Sequence, residues 1–198
     1  MSFASLPRML MSETEGWSDV VRMHPSVKKL LLSFVVPMSL IPALMYAYSE
    51  LMHPGAVFPL LAPPLSLREA TVVGVLFFAV EIAMVLLMAI FVQEAGEAVN
   101  VRVNYESAFT LAAIAPAPLW LAALALFIPS LWANMLIVAI AWIGSAALIR
   151  HGVRPLLGVR DPVIARRIAN VVTFVGVLAW VGLIIVLGLL LSIVFGFR

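Results

Sequence analysis

Along the chain, polar residues are gathered into a few short patches that separate five long apolar runs, at residues 30–48, 71–92, 108–128, 131–149 and 171–195. At about 1.5 Å rise per residue each run, wound as a helix, reaches roughly 30 Å, the thickness of a bilayer's hydrocarbon core. Only a helix satisfies its own backbone over such a length in lipid. Pro129 and Ser130 alone part the third run from the fourth. Because proline lacks an N–H and restricts the residue before it, this junction predicts a tight helical hairpin rather than one very long helix.

Ahead of the first run, Ser12 and Glu15 have capping-box spacing, and Trp17, Val20, Val21 and His24 follow at helical intervals until Pro25. This predicts a short amphipathic helix lying on the membrane surface. The loop after the first run holds Pro54, Pro59, Pro63 and Pro64 among apolar residues, which predicts an irregular segment at the interface. Pro37, Pro42, Pro116 and Pro118 inside the runs predict kinks. Some of Trp120, Trp132, Trp142 and Trp180, within or near span ends, are expected to act as interfacial anchors.

Composition agrees with this pattern. Of 198 residues 64% are hydrophobic and 11% charged, where a soluble domain is about 25% charged. The mean hydropathy of +1.14 spans the whole length, so the membrane part is the protein. The first run lies too deep and is too long for a simple secretory signal, and is read as a retained span. The fold class is therefore all-α, a polytopic bundle of five transmembrane helices with an interfacial N-terminal helix, divided into residues 1–29 and the transmembrane domain 30–198.

The basic residues orient it. Arg8, Arg22, Lys28 and Lys29 precede the first span, Arg102 follows the second, and Arg150, Arg154, Arg160, Arg166 and Arg167 cluster between the fourth and fifth; only Arg68 and Arg198 fall on the other side. Under the positive-inside rule, the N-terminus is cytoplasmic and the C-terminus extracytoplasmic. A net charge of +2 gives no basis for nucleic-acid binding.

Candidate chemistry is sparse. Glu81 sits near the middle of the second run, the sole ionisable side chain read at that depth, and an intramembrane carboxyl is a functional candidate by default. It is expected to face inward and uncharged, either hydrogen-bonded to a neighbouring helix or serving a proton or cation. Without a second mid-span acid, His or Lys, a relay finds little support. Glu94, Glu97 and Arg102 on one loop, and the five arginines on another, form a charged surface on one side. These groups can pair with each other, dock a partner or anionic lipid, or serve only as topology signals. His24, His53 and His151 lie on different segments, so no metal site is expected; without cysteine, a phosphate-binding loop or a hydrolase motif, no cofactor and no catalysis are expected either. Gly188, Ser192 and Gly196 recur every four residues in the last run, and alanines crowd the third. Such spacing allows close helix approach, inside the bundle or at a homodimer face.

These features together resemble the Yip family of five-span membrane proteins, in particular its bacterial inner-membrane branch of the YohC-like type. The carriers are His24-Pro25, the run Ala115-Pro116-Ala117-Pro118-Leu119, the Ile128-Pro129-Ser130 hairpin, and the segment from Leu148 to Pro155 with Arg150-His151-Gly152-Val153-Arg154, followed by Ala165 and the last span. The resemblance implies five spans, a cytoplasmic N-terminus and a bacterial inner-membrane location. Eukaryotic members are associated with Rab GTPases, but the long N-terminal region of those relatives is missing here. Two functions are expected: a non-enzymatic adaptor or organiser binding membrane lipids or other membrane proteins, or a small transporter, channel or lipid-moving protein using a path near Glu81.

Overall fold

A computed structural model describes residues 6–12, 14–55 and 65–196, all helix and connecting turns. Among the described residues five helices are long and apolar enough to cross a membrane: Val27–Met52, Leu67–Glu97, Tyr105–Phe127, Leu131–Leu157 and Pro162–Val194, the first to fifth spans. Two short helices, α1 (Leu6–Met11) and α2 (Trp17–Met23), precede them.

Each span starts on a side-chain cap and is distorted where proline demands it. Ser26 caps the first span, which opens into a π-turn over Leu31–Val35. Pro37 has no N–H to give and its ring crowds the preceding turn, and the wider turn accommodates it. The second span begins with a complete capping box, Ser66 accepting from the Glu69 N–H (3.3 Å) while the Ser66 N–H donates to Glu69 Oε2 (2.7 Å). Asn104 caps the third span at Ser107 (2.7 Å). As the prolines imply, that span is broken, into Tyr105–Ile114, Ala117–Ala122 and a 3₁₀ turn over Ala123–Phe127.

The hairpin at Pro129 is present, and Asn134 fixes it: its Nδ2 donates to the carbonyls of Ile128 (2.9 Å) and Ser130 (2.8 Å). The third span is the most enclosed of the five, with Ala112, Ala113, Ala115 and Ala122 buried, so the expected close packing of its alanines is found. The fifth is the most peripheral. Gly188 and Ser192 do not pack inside the bundle, contrary to one expectation: nothing lies within 4 Å of a Cβ built on Gly188, and Ser192 is exposed.

The helices overrun the apolar stretches that revealed them. The fourth span continues through Arg150, Arg154 and Pro155 to Leu157, and the fifth starts at Pro162, so only Gly158 to Asp161 connects them. The N-terminal segment holds the expected short helix as α2, with α1 ahead of it. Helices α1 and α2 pack on the fourth span, and Met9, Trp17 and Val20 belong to the main core. The prolines at 59, 63 and 64 lie outside the described residues.

Candidate functional site

The spans alternate in direction, which sets two ends of the bundle. One carries α2, the start of the first span and the arginines (the basic end), and the other carries the Pro129 hairpin.

Glu81 faces inward, 5% exposed, on the buried face of the second span with Gly74, Phe77 and Val85. Half-buried Phe78, Met84 and Met88 flank that face. The Trp120 side chain lies close to the carboxyl. That indole, buried rather than interfacial, lies edge-on to Phe34 of the first span, ring centroids 6.5 Å apart. Glu81 therefore lies where the π-turn of the first span and the proline-broken part of the third come together. Its Oε2 is buried without a hydrogen-bond partner.

The charged surface at the basic end lies on helix ends more than on loops. Glu94 and Glu97 close the second span and Arg102 follows in the turn; all three are exposed. Arg150 and Arg154 ride on the last turns of the fourth span, Arg160 on the connection, and Arg166 and Arg167 on the first turns of the fifth, each exposed. Among the described residues Arg150, Arg160, Arg166 and Arg167 have no ion pair, and the bridge seen is Arg22 to Asp19 (3.0 Å). A shallow cleft of about 50 Å³ opens at this end, where His24, Asn104, Glu106 and Ser107 meet Val20 and Leu156. His24 ends α2 in the left-handed region (φ 37°), an uncommon setting for a non-glycine residue.

One buried acid escaped the sequence reading. Because the first span runs to Met52, Glu50 falls within it and is 2% exposed, close to Tyr46 and Ser49 on the same helix. Counting an apolar run stops at Tyr48 and leaves Glu50 in the loop; helical phase with Tyr46, four residues earlier, was the available signal. Among the described residues no three metal-ligating side chains gather.

The family model of the Yip1 domain matches residues 8–183. No curated protein and no solved structure matches the chain.

Proposed function

This chain belongs to the Yip1-domain family, and on that premise we propose that it is a non-enzymatic organiser of the bacterial inner membrane, holding anionic lipids and other membrane proteins against its cytoplasmic face. The observation that carries this is the arginine set: Arg150, Arg160, Arg166 and Arg167 project, exposed and without ion pairs, from two adjacent helix ends. Basic clusters beside a span attract anionic headgroups by about 1 kcal/mol per residue. The count of basic residues on either side supports placing this end, and the N-terminus, in the cytoplasm.

Glu81 then serves the bundle rather than a solute. It is enclosed on the second span's buried face beside the Trp120 ring, a setting that suits a packed polar group. The test is purification from native membranes in mild detergent. Replacing Arg160, Arg166 and Arg167 together with Gln should lose co-purifying lipids and proteins while the helix content stays; unchanged material would reduce the arginines to topology signals.

A further inference from the structure

The shallow cleft at the basic end has a chemistry unlike that of the arginines around it. Its walls come from the end of α2 with the His24-Pro25 link, from the first turns of the third span and from the last turn of the fourth. Parts of the chain far apart in sequence thus close round one recess. Asn104 caps the third span, and Ser26, two residues after His24, caps the first. The recess therefore sits where spans begin, at the level of the lipid headgroups. Val20, Val21 and Leu156 make one side of it apolar.

The other side is rich in acceptors. Thr110 spends its one O–H on the Glu106 carbonyl (2.7 Å), so its Oγ1 has only lone pairs left to offer. Asn104 Oδ1 takes the Ser107 N–H (2.7 Å) and keeps a second lone pair. The Ser107 hydroxyl and a neutral His24 ring can each accept as well. Among the described residues the Glu106 carboxylate has no ion pair and no hydrogen bond, and neither Lys nor Arg lines the cleft. His24 and Glu106 share the cleft without bridging each other, which leaves the space between them open to a third group. The full charge of Glu106 also outweighs the roughly half positive charge at the start of the third span.

We infer that this cleft takes a primary ammonium group, that of an ethanolamine phospholipid in the leaflet at the basic end. Such a group brings a positive charge and three N–H donors, which suit a carboxylate, a ring nitrogen and a hydroxyl. Size agrees: a volume of about 50 Å³ holds about four water-sized atoms at roughly 10–15 Å³ each. These correspond to the nitrogen, two carbons and ester oxygen of the headgroup. The phosphate that follows them suits the arginines, of which exposed Arg102 stands two residues before Asn104 and exposed Arg160 four after Leu156. A choline headgroup has no N–H to donate and carries three methyl groups in the same space. The arginines thus hold anionic lipid, while the cleft ranks the zwitterionic ones, ethanolamine above choline.

The test is native mass spectrometry of the full chain in detergent, titrated with phosphatidylethanolamine, with phosphatidylcholine of the same acyl chains, and with free ethanolamine. Wild type should retain the ethanolamine lipid over the choline lipid by about tenfold, the worth of a hydrogen bond to a charged group. Glu106→Gln, which keeps the size and removes the charge, should abolish that preference while helix content and retention of anionic lipid stay unchanged. Ser107→Ala should reduce the preference, and it decides the matter if Glu106→Gln fails to fold. Equal retention of the two lipids by wild type, or the full preference in a folded variant of either kind, overturns the inference. Free ethanolamine held as tightly as the phospholipid would overturn the lipid as the ligand and leave a soluble amine in its place.

Discussion

The indole of Trp17 occupies the place where any side chain on Gly152 would have to stand: a Cβ built there would lie 2.5 Å from Trp17 Cη2 and 2.8 Å from Leu111 Cδ1. Trp17 Nε1 in turn donates to the Met9 carbonyl (3.1 Å), which ties α1 to α2. The two helices are thus fastened to the fourth span by one aromatic ring seated over one glycine.

This contact predicts two losses. Trp17→Ala should cost about 3 to 5 kcal/mol, as for truncation of a fully buried aromatic residue. Gly152→Ala should also destabilise, by about 1 to 3 kcal/mol through overpacking, although alanine ordinarily favours a helix. Thermal unfolding of the purified protein checks both, and a Gly152→Ala protein as stable as wild type would show that the N-terminal helices are not fastened there.

At Glu81 the prediction turns on Trp120. Glu81→Gln retains a polar group beside the indole and should change stability by less than about 1 kcal/mol, whereas Glu81→Leu removes it and should cost about 1 to 3 kcal/mol. Trp120→Phe should remove most of the difference between them. Equal stability of the Gln and Leu variants, measured by thermal unfolding in detergent, would exclude Trp120 as a stabilising neighbour of Glu81.

Asn134 should matter more than its position near a span end suggests. Its Nδ2 holds two carbonyls of the Pro129 turn, so Asn134→Ala should cost about 0.5 to 1.5 kcal/mol, the net worth of a lost hydrogen bond, since each carbonyl keeps a backbone donor. Proteolysis within the turn should rise accordingly in the variant.

Orientation is tested by single cysteines, since the chain contains none. Val159 is a poor site because its side chain is buried, while neighbouring Asp161 is exposed. With the N-terminus cytoplasmic, cysteines at Ser12 and Asp161 should be shielded from an impermeant thiol reagent in intact cells and one at Ser130 labelled. Labelling at Asp161 in sealed cells would reverse the orientation.

The five spans, the broken third helix and the Pro129 hairpin were legible because apolar length and proline are local signals that tertiary contacts seldom override in lipid. The inward face of Glu81 was legible for the same reason, since a carboxyl avoids hydrocarbon. Other features depend on contacts between distant segments. Nothing near Trp17 announces Gly152, and nothing near Trp120 marks it as the one of the four candidate tryptophans that lies beside Glu81. Glu50 was missed because polarity marks where an apolar run ends, while a helix ends where its backbone does. The stripe at Gly188 shows the reverse: its spacing permits close packing, but among the described residues nothing lies within 4 Å of a Cβ built on Gly188.

The account rests most heavily on the arginines at the basic end, and native mass spectrometry of the detergent-purified protein tests them directly. Wild type should retain anionic phospholipid in preference to zwitterionic. Replacing Arg160, Arg166 and Arg167 with Gln should weaken that retention by about 3 kcal/mol, roughly a hundredfold. Equal retention of anionic lipid by a folded triple variant would contradict the proposed role.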